Sequence, residues 1–401
     1  MNESRPRYAV VAPLYGESWL GGSAVYAAGV AKQLTASAQV EVLTTCADSY
    51  TTWANAMPEG HERVDGVHVR RFPVGSSRDS RGFDRLSQTL LRDPQPSLDL
   101  QESWMRAQGP MAEGLLEHLD RFANRYDAVV FVSYLYAITY FGLPIVEDRA
   151  LLVPLAHDEW PIRFSMWDRF FERPRSFAFA STEERDFLAS RFRHARLDGP
   201  IAGAGIVSPP DIDAQRFRSA FGLEDRFVLY VGRVDASKGC ETLLDDFARH
   251  RGESGTDRKL VMVGDVHMAL PHPDWLVSTG RVSERMKWDA LAAADSVVVP
   301  SRYESLSIAC LEAWACGKPT LVNARSTPLV GQCRRSGGGL WYSNADEFTA
   351  ALQILDHGEA AARLGAQGRR YVTEYYSWQK TGASIASCLR RICLGSSSQA
   401  S

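Results

Sequence analysis

The chain has 401 residues, of which 45% are hydrophobic and 23% charged, with a formal net charge of −3. That length exceeds one ordinary core and points to two domains of roughly 100–200 residues each. The slight acidic excess argues against a protein built to neutralise a nucleic-acid backbone, because such domains carry a basic surplus.

Met1–Arg7 lead straight into a strand-like run, with no apolar signal core before it. No uncharged apolar run reaches the roughly 18 residues of a membrane span, so a cytoplasmic protein is expected. In the first half, short apolar runs at Tyr8–Leu14, Val40–Thr44, Val67–Phe72, Ala128–Val132, Leu151–Leu155 and Ser176–Ala180 read as buried strands. In the second half come Phe227–Val231, Leu260–Val263, Leu276–Thr279, Val297–Pro300 and Thr320–Asn323. Helical stretches such as Ser23–Ala36, Glu241–Arg251, Glu284–Ala294 and Ile308–Ala315 alternate with them. Strand–helix alternation implies parallel sheets covered on both faces, and two such arrays imply two doubly wound, Rossmann-like domains.

The boundary is expected near Gly199–Asp213, where Gly203, Gly205, Pro209 and Pro210 punctuate the chain. Residues 1–203 would form one domain and 204–378 the other. Gly75–Ser97 reads as a mobile surface loop around a helical piece, Leu86–Leu91, and the tail Gly395–Ser401 as disordered. The seven cysteines are scattered and form no Cys-x-x-Cys pair, which fits reduced thiols better than a zinc cage or a disulfide framework. Ligands of open parallel sheets sit at the carboxyl ends of strands, so chemistry is sought in the loops that follow them.

One such loop, after Phe227–Val231, reads Gly232-Arg233-Val234-Asp235-Ala236-Ser237-Lys238-Gly239. Its glycines let backbone approach a ligand, and the following helix offers unpaired amides to an anion. Arginine brings planar bidentate contacts and lysine a point charge, a pair suited to a diphosphate. An isolated Arg and Lys would more simply be a solvated basic turn; the position at a strand's carboxyl end favours a ligand.

A second loop and helix run from Ser301 to Pro319 and carry Glu304 and Glu312. A helix is expected to begin near Ser305–Ser307 and to stop at Gly317, with Pro319 beyond it. Carboxylates accept hydrogen bonds from vicinal diols, so one could grip a hexose and the other a ribose, with phosphate at the helix start between them. Taken alone, a helix-start acid and a solvent-exposed glutamate explain the pair equally well.

In combination, Gly232-Arg233, Lys238-Gly239, Glu304, Glu312 and Ala315-Cys316-Gly317-Lys318-Pro319 resemble the donor half of a family-4 retaining glycosyltransferase of GT-B fold. The resemblance implies two Rossmann-like domains facing each other across a cleft, with a final helix near 379–395 packed back on the first. It implies that Glu304 binds the transferred sugar, Glu312 the nucleotide ribose, and Arg233 with Lys238 the diphosphate. Gly280-Arg281-Val282 is similar to the family's base-binding loop, which assigns Arg281 and Val282 to the donor. In the first half, Gly21-Gly22-Ser23 resembles the family's glycine loop, where Gly21 and Gly22 would approach acceptor or phosphate. His157 resembles the cleft histidine beside the sugar, against the commoner reading of a lone histidine as structural. Trp378 resembles the aromatic before the final helix and is taken as packing.

The chain departs from many relatives after the first glutamate, where Ser305-Leu306-Ser307 replaces Gly-Phe-Gly. Its backbone must then avoid conformations that only glycine tolerates, and the two hydroxyls become candidate donor ligands. Asp211-Ile212-Asp213 could suggest the metal motif of other glycosyltransferases, but its setting after Pro209-Pro210 argues for a turn and a helix cap. Trp160–Arg196 mixes arginines and aromatics, and is read as packed helices with solvated outer faces in preference to a surface for anionic lipid.

The function implied is metal-independent hexosyl transfer with retention, from a nucleotide-diphosphate sugar to a glycan, lipid-linked or small-molecule acceptor. No cofactor beyond the donor, no metal and no nucleic acid are expected; peripheral membrane contact stays open. A catalytically inactive glycosyltransferase-like subunit is the alternative, prompted by Ser305-Leu306-Ser307. A nicotinamide oxidoreductase is disfavoured, because the turn from Gly16 to Gly22 lacks Gly-x-Gly-x-x-Gly.

Overall fold

The computed structural model describes residues 5–16 and 21–397. Its chain packs into two units, one formed by residues up to Ala204 together with those from Trp378 onward, the other by Gly205–Ser377.

In the first unit, β1 (Arg7–Val11), β2 (Gln39–Thr45), β3 (Gly60–Val64), β4 (Val67–Phe72), β5 (Ala128–Val132), β6 (Ala150–Val153) and β7 (Ser176–Phe177) make one sheet. Its order is β3-β4-β2-β1-β5-β6-β7, parallel except for the β3–β4 pair. β1, β5 and β6 are buried along nearly their whole length, as expected of strands covered on both faces. The order reverses between β1 and β5, which makes the carboxyl end of β1 the switch point of this sheet.

The antiparallel edge β3 escaped the sequence reading because Gly60-His61-Glu62-Arg63-Val64 is polar and largely exposed. Its signal lay in the turn, where Asp65 (φ 48°) and Gly66 (φ 81°) form the Asp-Gly connection of a two-residue hairpin.

Gly75–Ser97 is not a loop around a short helical piece. Most of it is the helix Ser80–Arg92, which buries Leu90 and packs Phe83 and Leu86 against the core. Aromatics of the Trp160–Arg196 stretch face inward: Trp167, Phe170, Phe171 and Phe192 are buried, and Phe171 stacks on Phe192 at 4.4 Å. Several of its arginines meet acids at the surface, as Arg173 does Glu147 at 2.7 Å. Of the tail, Gly395–Ser397 end the helix Trp378–Ser397, and residues 398–401 lie outside the described residues. That helix packs on the helix Gly22–Leu34. Trp378 meets Tyr26 edge-on at 6.1 Å, and a Cβ on Gly29 would fall 2.1 Å from the Trp378 ring.

In the second unit, β8 (Phe227–Val231), β9 (Lys259–Val263), β10 (Leu276–Gly280), β11 (Ser296–Val299), β12 (Thr320–Asn323) and β13 (Gly339–Tyr342) form an all-parallel sheet in the order β10-β9-β8-β11-β12-β13. β13 begins on the last of three successive glycines, Gly337 to Gly339, which masks its strand signal. The chain runs outward from β8 through β9 and β10, then returns to the other side of β8 at β11. The switch point therefore lies between β8 and β11, where loops diverge and leave a crevice. Both loops singled out in the sequence leave the sheet there. Among the described residues, no helix is long and apolar enough to cross a membrane.

Candidate active site

The loop after β8 is shaped by close backbone approaches. Gly232 has φ 148°, and a Cβ on Gly264 would lie 1.9 Å from the Gly232 carbonyl oxygen, so the loops after β8 and β9 touch. Asp235 caps the short turn Ala236–Lys238, accepting from the Lys238 backbone N–H at 3.0 Å and from the Ser237 hydroxyl at 2.6 Å. Gly239 has φ 78°, and a Cβ there would stand 2.6 Å from the Pro300 carbonyl oxygen. Only glycine suits both constraints, and the result draws the β8 loop against the end of β11.

This approach brings Lys238 and Glu304 together: the Lys238 ammonium donates to Glu304 Oε1 at 2.9 Å. Arg233 does not bond Glu304. Its guanidinium donates to Asp235 and, at 3.3 Å, to the Ser237 hydroxyl. Burial would raise the Asp235 carboxyl, but the Ser237 hydroxyl and Arg233 outweigh it and hold it below its usual range.

The helix Ile308–Ala315 begins where the sequence predicts. Ser307 is its cap, with the hydroxyl accepting from the Cys310 N–H at 3.3 Å. The Ser307 N–H donates to Gln332 Oε1 at 3.3 Å, and Ser305, Leu306 and Ser307 are all buried. Among the described residues, positive φ outside glycine is confined to Trp53, Asp65, Ser133 and Leu155. The Ser305-Leu306-Ser307 backbone thus takes conformations open to any residue, which removes the reason to regard this loop as damaged by the loss of glycine.

Glu312 projects from the same helix with 7% exposure, and its Oε1 accepts from the Lys287 ammonium at 2.6 Å. Lys287 stands on the helix Glu284–Ala293 and also meets Glu284 at 2.8 Å. Burial raises the Glu312 carboxyl, and Lys287 offsets only part of that rise. Burial alone would lower the Lys287 ammonium, yet Glu312 and Glu284 reverse the direction and raise it. Arg281, beyond Gly280 (φ 64°), lies 3.3 Å from Asp265, and Val282 beside it is half-buried. Asp213 caps the helix Ala214–Phe221, as its setting suggested.

His157, Gly21 and Gly22 belong to the first unit. Gly21 (φ 108°) precedes the helix Gly22–Leu34 at the β1 side of the switch point, and residues 17–20 of that turn lie outside the described residues. His157 follows β6 through Leu155, which has φ 50°, and its Nδ1 lies 3.4 Å from Glu159 Oε1. The turn is anchored by Glu184, 1% exposed, whose two oxygens accept from the Ala156 and Ala180 N–H groups at 2.6 Å each. Burial pushes the Glu184 carboxyl up to about 7 against the pull of these backbone donors.

The sequence reading missed Lys287, Asp235 and Glu184. Asp235 was legible as a cap residue three positions before Lys238. Glu184 completes a Ser-x-x-Glu capping box with Ser181, whose hydroxyl accepts from the Glu184 N–H at 3.1 Å. Nothing in the sequence pairs Lys287 with Glu312 across two helices.

Residues 211–371 match the family described as glycosyl transferases group 1. This stretch is a group 1 glycosyltransferase domain. The chain is 29% identical over 255 residues to the MMP alpha-(1->4)-mannosyltransferase of Mycolicibacterium hassiacum, a match covering 60% of this chain and 61% of that protein. It spans between about half and three-fifths of the length of the curated relatives it matches first. Among solved structures it superposes on sucrose-phosphate synthase from Thermosynechococcus elongatus with a TM-score of 0.71 at 17% identity, covering 98% of this chain and 100% of the other. It superposes on Anabaena HepE, solved in complex with UDP-glucose, with a TM-score of 0.68 at 14% identity, covering 96% and 99%. The fold that carries the group 1 domain is that of GT-B glycosyltransferases, with two parallel-sheet Rossmann-like domains.

Proposed function

We propose that the chain is a glycosyltransferase that takes a hexosyl group from a nucleotide-diphosphate sugar and passes it, with retention, to a glycan, lipid-linked or small-molecule acceptor. The observation that carries this reading is the meeting of Lys238 with Glu304 at the switch point of the second sheet. There a cation suited to a diphosphate and a carboxylate suited to a sugar diol occupy one crevice end, beside a helix start at Ser307.

In this reading the bond from the anomeric carbon to the diphosphate oxygen breaks with its electron pair leaving on the diphosphate, an acceptor hydroxyl oxygen forms the new bond to that carbon, and the hydroxyl proton passes to the departing diphosphate. Lys238, Arg233 and the helix amides near Ser307 stabilise the negative charge that grows there, which is electrostatic catalysis by groups already in place. With that charge supplied by side chains and backbone, the reaction is proposed to be metal-independent. Glu304 orients the sugar, Glu312 accepts from the ribose, and Gly232, Ser305, Leu306, Arg281 and Val282 complete the donor pocket. His157 and the Gly21-Gly22 turn serve the sugar and acceptor side. A uridine nucleotide is a reasonable first donor to try, since Anabaena HepE was solved with UDP-glucose.

The test combines thermal shifts against nucleoside diphosphates and their sugars with donor-hydrolysis rates. A true donor raises the melting temperature by mass action. Arg233→Ala and Glu304→Ala, checked for folding, should turn over donor at least about 100-fold more slowly. Wild-type rates in both folded variants would refute the assignment.

A further inference from the structure

The buried Glu312 carboxylate is a poor ligand unless something keeps it ionised. Burial alone favours its neutral form, which has lost one of the acceptor sites a ribose diol would use. Glu284 adds a like charge from the neighbouring helix, and the thiol of Cys316, just past the end of the helix that carries Glu312, offers no positive charge. Arg369, on the helix Gly358–Tyr375 packed against it, is spent on the Ala315 carbonyl at 3.1 Å. The cation that faces Glu312 is Lys287, and its ammonium bonds Oε1 at 2.6 Å. No hydrogen bond reaches Oε2 among the described residues.

We infer that Lys287 is a positioning residue for the nucleotide ribose: by holding Glu312 Oε1 it keeps the carboxylate charged and fixed, so that the other oxygen can accept from the sugar hydroxyls. The inference rests on the proposed donor role of Glu312. Glu284 holds Lys287 from the other side at 2.8 Å, so the ammonium is fixed between two carboxylates instead of swinging into solvent. Lys287 itself touches no ribose. Its effect is exerted through Glu312, and it should therefore be felt as discrimination for the 2′-hydroxyl and not as general nucleotide affinity.

The experiment measures dissociation constants of UDP, GDP and ADP, each against its 2′-deoxy counterpart, by calorimetry at pH 6 and pH 8.5. The wild-type chain should prefer at least one ribonucleotide over its deoxy form on the order of tenfold, the scale of one hydrogen bond to a charged group. Lys287→Met should lose much of that preference at pH 6 and recover more of it at pH 8.5, the direction expected of a carboxyl that burial raises, whereas Lys287→Arg should keep it at both. Lys287→Gln, which retains a donor without charge, serves the same comparison if Lys287→Met does not fold. A wild-type ratio at pH 6 in the uncharged variant overturns the inference. Glu312→Gln separates the two levels: if it too keeps the wild-type ratio, or if the wild-type chain binds none of the three nucleotides, the underlying donor reading falls with it. If Glu312→Gln loses the ratio while Lys287→Met keeps it, only the role of Lys287 falls.

Discussion

Lys238 donates to Glu304 across two loops that leave the sheet on either side of its switch point, at 2.9 Å. Each partner satisfies the other until a ligand arrives, so neither charge faces the crevice alone. Replacing Lys238 by Ala should slow donor turnover by about 100- to 1000-fold, the cost of losing one preorganised charge on a leaving group. Because Lys238 is partly exposed, the melting temperature should move little. Steady-state rates and melting curves on one preparation check both halves, and an unchanged rate contradicts the first.

Gly239 has two reasons to resist substitution. Its φ of 78° strains any L side chain, and an added Cβ would meet the Pro300 oxygen at 2.6 Å. Gly239→Ala should destabilise the protein by about 1–3 kcal/mol. It should also displace Lys238, so turnover falls beyond what the loss of folded protein explains. A urea titration with a wild-type midpoint would show that the turn tolerates the change.

Glu184 makes a prediction about pH whose sign runs against the usual carboxylate. Its folded value of about 7 lies above the model-compound 4.5, so between those values the native state holds a proton that the unfolded chain has released. Stability should therefore fall as pH rises from about 4.5 to about 7, by on the order of 3 kcal/mol from this group, and then level off. Glu184→Gln should flatten that slope. Urea unfolding at a series of pH values tests it, and an equal slope in wild type and variant would assign the effect elsewhere.

Gly29 sits inside the helix Gly22–Leu34, where glycine costs about 1 kcal/mol relative to alanine. Its place is explained by the Trp378 ring, 2.1 Å from where a Cβ would stand. Gly29→Ala should destabilise despite its better helix propensity, and Trp378→Ala should cost at most about 3–5 kcal/mol. In the double variant the clash is gone, so the losses should add to less than their sum. Additive melting-point changes would show that the two residues are not in contact.

Much of the fold was legible because its strands are buried on both faces and read as apolar runs; Phe227–Val231 and Thr320–Asn323 fall where the sequence puts them. What escaped was polar or glycine-rich. β3 exposes most of its side chains, β13 hides behind a glycine run, and the helix Ser80–Arg92 buries little besides Leu90. At the candidate site, the loops were visible from their position after strands, whereas partners from distant segments were not. Lys238 with Glu304 and Lys287 with Glu312 are separated by 66 and 25 residues. Such pairs depend on which strands become neighbours, and the strand order is a property of the whole sheet.

The helix Trp378–Ser397 completes a unit whose remaining parts all precede Gly205, while Gly205–Ser377 supplies the other without interruption. During synthesis the later-encoded body therefore has its full sequence before the earlier one does. Until Trp378 emerges, the notch at Gly29 is an open apolar surface on a half-finished partner, and chaperones or neighbouring nascent chains have access to it. A stop codon placed just before Trp378 should thus harm the opposite end of the polypeptide more than the part it directly follows.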